Sequence, residues 1–386
     1  MTSLIAPAAR RTAALALALL LLGTGHAAVA QEMSTPAKQA ILMDAETGAV
    51  LFEKNPDQRT GPASMSKLMT LYLLFDRLKR GDLSLEDRFL VSEKAWRKGG
   101  SKMFVEVGDR VSVEDLIRGI VVHSGNDATI VVAEGLAGSE EAFAAEMTAR
   151  AHEIGMTNSH FVNASGWPDP EQYVTARDLA TLALRLIQDF PAYYHYFAEI
   201  EFTYSDIRQG NRNPLLYRDL GVDGLKTGHT EEAGFGLAAS AERNGQRLML
   251  VVHGLDGMKS RSQESERLLD WGFRTFKNYK LFTTGEAVDQ AQVWLGQEPR
   301  VPLLVPRDLT VTMKRKSRSE MQARIVYQGP VPAPVVAGDR IGSLVVSAPD
   351  FETVEIPLVA GNGVERLGVF GRFGAALHYL VFGASG

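Results

Sequence analysis

The sequence contains no cysteine, and this absence removes several classes of function at once. Disulfide frameworks, cysteine nucleophiles, zinc fingers and iron–sulfur clusters all need cysteine side chains. An excess of positive charge is missing as well, because 46 acidic residues outnumber 41 lysines and arginines and leave a formal net charge of −5. This balance argues against a nucleic-acid partner. The eight histidines show no H-E-x-x-H spacing, so we expect no metal and no other cofactor.

One apolar run stands out near the start of the chain. Arg10 and Arg11 precede uninterrupted apolar residues at 13–22, and the sequence A-V-A at 28–30 fits a cleavage site. This order is typical of a secretory signal peptide. An uncleaved membrane anchor is the alternative, but the run is short for a bilayer span. We predict that residues 1–30 are a signal peptide and that the rest of the chain is exported.

Residues 31–279 combine two kinds of periodicity. Alternating runs predict β-hairpins at 40–52 and at 235–252, the second turning at an Asn-Gly pair. Apolar residues at helical spacing predict helices between the hairpins, and a stretch rich in glycine, proline and aspartate, 156–174, reads as a long loop. Strands at both ends with helices between them indicate an α+β domain. Helical spacing and capping residues place the helices at 64–81, 113–122, 126–136, 139–154, 175–190 and 263–276.

The pattern of predicted secondary structure changes at residue 280. Residues 280–362 carry many short β-like runs separated by prolines, which predicts a small all-β domain. Residues 363–386 return to a helical period with phenylalanines on one face. Such a helix usually docks on its own domain, but its place after the last strand and its aromatic residues favour association with a membrane surface.

Three short polar motifs carry the chemistry. Ser64 and Lys67 are three residues apart at the start of a helix, which Ser64 is expected to cap, so their side chains share one face. A second motif, S-G-N at 124–126, lies at a break between two helices, and a third, K-T-G at 226–228, begins a predicted strand. Acyl transfer without a metal needs a nucleophile, a base and an oxyanion site. Each motif taken alone is also consistent with an ordinary structural role, as a helix cap or as a turn.

A serine hydroxyl becomes a nucleophile only when a neighbouring group takes its proton. Lys67 can take that proton only when it is neutral, which requires a lowered pKa. Burial and a second cation both lower the pKa of a lysine. We predict that Lys226, on the facing strand, supplies this cation.

In this order the three motifs form the signature of penicillin-binding proteins and serine β-lactamases. The flanks P-A-S-M-S-K-L-M-T, H-S-G-N-D-A and V-D-G-L-K-T-G-H-T-E-E-A-G match as well. The sequence resembles the low-molecular-mass penicillin-binding proteins that act as D-alanyl-D-alanine carboxypeptidases, serine peptidase family S11. The resemblance covers nearly the whole mature chain. It implies an α+β penicillin-binding-protein/β-lactamase-like domain, an antiparallel sheet with a helical subdomain, followed by the all-β domain and an amphipathic helix.

The resemblance also implies a substrate, a location and the main catalytic roles. The substrate would be the peptidoglycan stem pentapeptide, with β-lactam antibiotics as covalent inhibitors. The protein would lie in the periplasm, on the outer face of the inner membrane, held there by the C-terminal helix. Ser64 would be the acylated residue and Lys67 its base. Ser124 would relay a proton towards the leaving D-alanine, and Asn126 would hydrogen-bond the peptide.

Further residues would bind the substrate's end. Lys226 and Thr227 would recognise the terminal carboxylate, and Gly228 would leave room for the approaching acyl group. The backbone N–H groups of His229 and of the nucleophile would form the oxyanion hole. Arg261 matches a family arginine near the carboxylate pocket, although a solvated arginine at a helix start is an equal reading.

Other functions remain open at this stage. A class A β-lactamase would share the nucleophile and K-T-G, but it needs S-D-N and an E-x-x-L-N loop, and here the loop offers only Glu171. An endopeptidase acting on crosslinks is a related alternative, and a silent envelope-binding protein is a rival of another class. Relatives more often carry Gly-Leu where this chain has Gly166 and Trp167. We expect this difference to change the shape of the pocket rim and, through it, the preference for the donor peptide.

Overall fold

The computed structural model describes residues 33–374 of the chain. The predicted signal peptide, 1–30, lies outside the described residues, and so does the end of the predicted C-terminal helix, 375–386. Within 33–374, helices lie between strands early in the chain and strands dominate late in it, as predicted.

The helices and strands have the following bounds within the described residues. The α-helices are α1 (Lys67–Arg80), α2 (Glu93–Arg97), α3 (Val113–Val121), α4 (Asn126–Ala137), α5 (Glu140–Glu153), α6 (Ala176–Asp189) and α7 (Met258–Thr275). The earlier strands are β1 (Gln39–Asp44), β2 (Val50–Lys54), β3 (Arg88–Leu90), β4 (Arg110–Ser112), β5 (Glu201–Tyr204), β6 (Ile207–Gly210), β7 (Val222–Thr230), β8 (Gly234–Arg243) and β9 (Gln246–Leu255). The later strands are β10 (Phe276–Phe282), β11 (Ala287–Trp294), β12 (Arg300–Leu304), β13 (Leu309–Lys314), β14 (Gln322–Tyr327), β15 (Val331–Pro332), β16 (Arg340–Ala348) and β17 (Phe351–Ala360).

An antiparallel sheet in the order β2-β1-β9-β8-β7 supports the first domain. Both predicted hairpins are confirmed, since β1 pairs with β2 and β8 pairs with β9. Asn244 and Gly245 connect β8 to β9 with φ angles of 53° and 76°, the left-handed conformation that a tight two-residue turn requires. Strand β7, which carries the K-T-G motif, forms an edge of this sheet.

Helix α1 is central to the helical part of the domain. Its first nine residues, 67–75, are all buried. A helix that is apolar on every side packs inside a protein rather than on its surface. The apolar neighbours of α1 come from α3, α4, α5 and α6 and from one face of the sheet. Lys67 is the first residue of α1, so it is buried together with the helix.

Capping side chains begin three helices as predicted. Ser112, Ser139 and Thr175 each accept a hydrogen bond from the backbone N–H three residues further on, in α3, α5 and α6. This contact satisfies one of the backbone donors that a helix start leaves free.

Two predicted helix starts are wrong. Ser64 does not cap α1: it lies in a 3₁₀ turn, Ala63–Ser66, and α1 follows at Lys67 with no side-chain cap. Helix α7 begins at Met258 rather than near 263. Its first two turns bury polar residues, including Arg261 and Ser265, so the apolar period that marks a helix in sequence is missing there.

The all-β domain predicted after residue 280 is confirmed. In the described residues, its larger sheet has the order β14-β16-β17-β12-β11-β15, and β10 pairs with β13 beside it. These strands enclose an apolar core of their own, with Val301, Leu344 and Leu358 at its centre. Strand β10 spans the predicted domain boundary between residues 279 and 280.

The chain leaves this domain later than predicted. Val364 pairs with Val335, and the N–H of Leu367 donates to the carbonyl of Leu295, so residues 363–367 still belong to the β domain. Helical backbone begins at residue 369, and the described turn, 369–374, exposes its apolar side chains. No helix in the described part of the chain is long and apolar enough to cross a membrane.

Gly166 brings the long loop against the turn that carries Ser64. Its φ is 80°, and a Cβ atom at this position would lie 1.7 Å from the carbonyl oxygen of Ala63. Ala63 itself has a φ of 47°. Two unusual backbone conformations therefore meet next to the nucleophile, and only glycine permits the approach.

We predict that Gly166→Ala lowers the free energy of unfolding by about 3 kcal/mol or more, since the new methyl group overlaps backbone atoms that cannot rotate away. Gly108→Ala is the matched control, because Gly108 has a φ of 85° and open space around its Cβ position. The control should cost about 1 kcal/mol, the penalty of a left-handed alanine alone. Urea unfolding followed by circular dichroism measures both, and equal losses would contradict the close approach.

Candidate active site

The first two motifs meet at the ammonium group of Lys67. Lys67 Nζ donates to Ser64 Oγ at 3.0 Å, to Asn126 Oδ1 at 2.8 Å and to the backbone carbonyl of Ser165. A lysine has three donors, and all three are used here. Ser64 is partly exposed although the residues on either side of it are buried, so its hydroxyl is open to a substrate. A neutral Lys67 can accept the Ser64 proton over the same 3.0 Å contact.

Burial is the main cause of the lowered pKa of Lys67. Removal from water penalises the charged form and brings this pKa down to about 7. Repulsion from Arg212 lowers it further, and repulsion from Lys98 adds a smaller effect. The carboxylate of Asp127 acts in the opposite direction. Lys67 can therefore be neutral near neutral pH, as a general base must be.

Lys226, the predicted source of the second cation, is itself a buried lysine. Burial holds the pKa of Lys226 well below its usual range, and repulsion from Lys67 lowers it further. The role predicted for Lys226 stays a prediction. Arg212 is a further cation, and its repulsion lowers the pKa of Lys67. Arg212 lies in a loop without a recognisable motif, so sequence reasoning missed it; it donates to Ser101 Oγ at the edge of the site.

Ser124 is buried, and its hydroxyl is unused. Its φ of 59° places a non-glycine residue in the left-handed region, a conformation that costs energy and recurs at functional sites. Among the described residues, Ser124 Oγ has no hydrogen-bond partner. Its neighbour Asn126 contacts Lys67 and also donates through Nδ2 to the carbonyl of Gly99. The second motif thus presents one free hydroxyl and one fixed amide.

Asp127 is a structural residue of the site that the sequence did not single out. Its carboxylate accepts N–H groups from Met103 at 2.8 Å and Phe104 at 2.8 Å, and also that of Ala128 at 2.9 Å. It thereby fixes the segment 101–105 against the start of α4. The sequence shows only that Asp127 is an acidic residue in the first turn of a helix. Such a residue is ordinarily explained by its favourable interaction with the helix dipole.

The third motif faces the first one from the edge strand. Lys226 and Thr227 are buried, with exposed fractions of 2% and 5%. A Cβ atom on Gly228 would lie 3.2 Å from the Pro62 carbonyl oxygen and 3.2 Å from the Cβ of Ala63. Glycine at this position therefore allows β7 to pack against the turn that carries the nucleophile. This reason differs from the predicted one, which was room for the acyl group.

His229 and Arg261 both lie near the ring of Phe235. The exposed ring of His229 stacks on Phe235 with 3.8 Å between centroids, and the Arg261 guanidinium is 5.8 Å from the same Phe235 ring. Arg261 is buried, with 6% of its surface exposed, so the solvated reading is wrong. Burial lowers its pKa to about 10. Its Nε has no hydrogen-bond partner in residues 33–374, which leaves a buried cation free to receive an anion.

The long loop closes the site on another side. Asn163 Oδ1 accepts the N–H groups of Gly166 at 2.9 Å and Trp167 at 3.0 Å, which shapes the loop around the Ser165 carbonyl. The Trp167 ring then reaches the facing segment, where Lys98 Nζ lies 4.5 Å from its centroid. Trp167 is therefore part of the rim of the cleft. Within the described residues, no cluster of acidic residues and histidines could hold a metal ion.

We predict that acylation by benzylpenicillin accelerates with rising pH around a midpoint near 7, because Ser64 needs a neutral Lys67. Arg212→Gln removes a repelling charge, so the protonated lysine becomes less unfavourable, its pKa rises and the midpoint moves to higher pH. Arg212→Lys keeps the charge and should stay close to the wild-type midpoint. Acylation rate constants measured from about pH 5 to about pH 9 decide this. A midpoint that is the same in all three proteins would exclude Arg212 as a cation that lowers the pKa of Lys67.

The same arrangement of domains occurs in known proteins. The profile of the peptidase S11 family, described as D-alanyl-D-alanine carboxypeptidase, matches residues 26–257. The profile of the C-terminal domain of penicillin-binding protein 5 matches residues 276–366.

Relatives are similar over most of their length. D-alanyl-D-alanine carboxypeptidase DacA of Haemophilus influenzae is 38% identical over 342 residues, which cover 87% of this chain and 87% of that protein. D-alanyl-D-alanine carboxypeptidase DacC of Escherichia coli K12 is 39% identical over 347 residues, 88% of this chain and 87% of that protein. The crystal structure of penicillin-binding protein 5 from Haemophilus influenzae superposes with a TM-score of 0.79 and 37% identity, covering 86% of this chain and 99% of that one.

A shorter structural relative carries an antibiotic. Penicillin-binding protein D2 from Listeria monocytogenes, solved in its ampicillin-bound form, has a TM-score of 0.57 and 30% identity, and it covers 62% of this chain and 98% of its own. Together these similarities confirm the predicted fold and the predicted class of serine-type carboxypeptidase. The chain belongs to the peptidase S11 family of D-alanyl-D-alanine carboxypeptidases.

Proposed function

We propose that the chain removes the terminal D-alanine from peptidoglycan stem pentapeptides through an acyl-enzyme on Ser64. The observation that carries this proposal is the contact between Ser64 Oγ and the buried Nζ of Lys67 at 3.0 Å. A base with a pKa of about 7 beside a serine hydroxyl is what nucleophilic catalysis needs at neutral pH.

The acylation step uses groups from all three motifs. Lys67 takes the Ser64 proton as Oγ bonds to the carbonyl carbon of the penultimate D-alanine. The backbone N–H groups of Ser64 and His229 hold the oxyanion, and losing one such donor raises a barrier by ~3 kcal/mol. The C–N bond then breaks, and the leaving amine of D-alanine receives the proton through Ser124 Oγ. Water hydrolyses the ester in a second step and restores the Ser64 hydroxyl.

The carboxylate of the leaving D-alanine explains why so many cations are buried here. Lys226 and Arg261 are both buried, and Thr227 adds a hydroxyl beside them. A substrate anion favours the charged form of Lys226, because an opposite charge raises the pKa of a lysine. A free C-terminus is therefore part of what the site recognises, as a carboxypeptidase requires.

The described residues show no carboxylate in contact with Lys67 that could serve as the base for the rapid deacylation typical of a β-lactamase. The hydrogen-bond partners of Lys67 in the described residues are a hydroxyl, an amide and a backbone carbonyl, with no carboxylate among them. Glu171 is exposed on the long loop. Penicillins are therefore expected to acylate Ser64 and leave slowly, as covalent inhibitors do.

Ser64→Ala should abolish covalent labelling by a fluorescent penicillin and the release of D-alanine from a muramyl pentapeptide analogue. Ser66→Ala is the matched control, since Ser66 lies two residues away with a buried hydroxyl that makes no hydrogen bond in the described structure. The control should keep both activities within about threefold of wild type. Gel fluorescence and amino-acid analysis measure the two readouts. Labelling that survives in Ser64→Ala would rule out this nucleophile.

The exported location and the membrane helix belong to the same proposal. The described turn at 369–374 exposes Val369, Phe370 and Phe373, with 70%, 94% and 73% of their surfaces accessible. Apolar side chains of this size on the last helical segment suit the interface of a bilayer. We place the enzyme in the periplasm, on the outer face of the inner membrane. The polar face is poor in lysine, so electrostatic attraction to anionic lipid is weak.

A chain that lacks residues 369–386 should lose its association with membranes and keep its activity. The cut falls after residues 363–367, which pair with the β domain, so the domain core stays intact. Cosedimentation with vesicles of phosphatidylethanolamine and phosphatidylglycerol gives the measurement, and penicillin labelling verifies the fold. Equal sedimentation of full-length and shortened proteins would remove the helix as the anchor.

A further inference from the structure

A cavity of about 370 Å³ lies at the junction of the catalytic domain and the β domain. The catalytic domain contributes the turn between β8 and β9 and the last turn of α7, and the β domain contributes the start of β10 and the turn after β13. Four lining residues are cations, and no acidic residue among those described lines the cavity. The cations are Arg243, Arg274, Lys277 and Arg315. Because acidic residues outnumber basic ones in the chain, this positive charge is a local feature of the junction.

The junction cavity is separate from the catalytic cleft. On β8, Leu237 pairs with Thr227 of the K-T-G motif, and Arg243 lies six residues further along the strand. At roughly 3.3 Å per residue, this places Arg243 about 20 Å along the strand from the motif. None of the residues that line the junction cavity belongs to the three catalytic motifs. A ligand bound here would therefore not contact the nucleophile.

The end of α7 explains only part of this positive charge. Cations are favourable beside the last carbonyl groups of a helix. Arg274 Nε donates to the carbonyl of Asp270 at 3.3 Å. Arg315 Nη2 donates to the carbonyl of Phe273 at 3.2 Å. A guanidinium has five N–H donors, so both arginines keep donors that the helix does not use. Lys277 is exposed, and its ammonium group donates no hydrogen bond among the described residues.

Ion pairs neutralise only one of the four cations. Arg243 Nη1 lies 2.7 Å from Asp270 Oδ1. In the part of the chain that the structure describes, the other three cations have no carboxylate within ion-pair distance. Arg243 Nη2 is buried and has no hydrogen-bond partner among the described residues. Like charges around one cavity repel each other, and a buried donor without an acceptor costs free energy. An anion in the cavity would relieve both costs.

Polar side chains fix the shape of the junction around these cations. The amide groups of Gln246 and Asn278, which line the cavity, donate to the carboxylate of Asp44 at 3.0 Å and 3.1 Å. Asn278 Oδ1 accepts the hydroxyl of Thr312 at 2.8 Å. Asp44 itself is not among the residues that line the cavity. These contacts join β1 and β9 of the catalytic domain to β10 and β13 of the β domain, so the cations on both sides are held in place.

We infer that the junction cavity binds a phosphate-type anion that carries two or more negative charges. Arg274 approaches this anion from the catalytic domain, and Lys277 and Arg315 approach it from the β domain. A phosphate monoester carries about −1.5 to −2 charges near neutral pH and has three acceptor oxygens. Guanidinium groups bind such oxygens in pairs, whereas an ammonium group acts as a point charge. A single carboxylate, with one negative charge, would leave most of the unpaired cations without a partner.

Calorimetric titration of the full chain with pyrophosphate tests this inference. We expect saturable binding that persists in sodium chloride of matched ionic strength, because chloride cannot accept hydrogen bonds from several cations at once. Lys277→Gln should raise the dissociation constant about tenfold, since it removes a cation and breaks no hydrogen bond of the described structure. Lys277→Arg keeps the charge and should stay within about threefold of wild type.

Two further variants test whether both domains contribute. Arg274→Gln in the catalytic domain and Arg315→Gln in the β domain should each raise the dissociation constant about tenfold. Arg324→Gln is the matched control, because Arg324 is exposed on β14 and forms no ion pair among the described residues. The control should bind pyrophosphate as the wild type does. Penicillin acylation reports whether each variant is folded, and its rate should be the same in all of them.

Two results would overturn the inference. One is the lack of saturable binding in the wild-type protein. The other is an equal dissociation constant in wild type and Lys277→Gln, which is the result expected if pyrophosphate binds only at the cations of the catalytic cleft. A loss in only one of Arg274→Gln and Arg315→Gln would overturn the contribution of both domains.

A phosphate group reaches the protein either free in solution or on a lipid headgroup, and cosedimentation separates the two sources. With vesicles of phosphatidylethanolamine and phosphatidylglycerol, a headgroup ligand predicts that Lys277→Gln sediments less than the wild-type chain. A soluble phosphate predicts equal sedimentation. Both results agree with a phosphate site in the cavity, whose existence the titration decides.

Discussion

The burial of one ammonium group is the constraint on which the rest of the structure depends. Lys67 begins a helix that is buried on every side, so its charge loses the stabilisation of water and its pKa falls to about 7. Its three acceptors are neutral: a hydroxyl, an amide oxygen and a backbone carbonyl. A carboxylate in any of these positions would hold the proton on the lysine. The contacting groups thus provide hydrogen bonds without placing a carboxylate directly on the lysine.

The sequence was sufficient to predict the parts of the site that depend on residue type and order. Ser64, Lys67 and Asn126 are close together in the structure, and the hairpins and the all-β domain were predicted because alternation and turn residues are local signals. Arg212 and Asp127 could not be found this way. Arg212 acts on Lys67 through space from a loop without a motif, and Asp127 acts by accepting backbone N–H groups, which every residue possesses.

Errors at helix boundaries have a common cause. The start of α7 buries Arg261 and Ser265, and the turn before α1 has a left-handed Ala63 next to the nucleophile. In both places contacts at the site override the conformation that the local sequence favours. Buried polar groups and backbone strain are tolerated where neighbouring groups enforce them. The positions at which sequence rules fail therefore surround the cleft. Gly166 belongs to the same group, because its necessity comes from a carbonyl more than a hundred residues earlier in the chain.

The edge position of β7 has a consequence for how substrates and inhibitors compete. An extended peptide can add to this edge through main-chain hydrogen bonds, and such bonds are the same whatever the side chains of the strand. A point mutation to any residue except proline replaces a side chain but leaves the backbone N–H and C=O groups in place. Such a mutation therefore leaves the main-chain contacts of the edge intact. The side chains of the loops at the two ends of the strand are the groups around these contacts that a mutation can change.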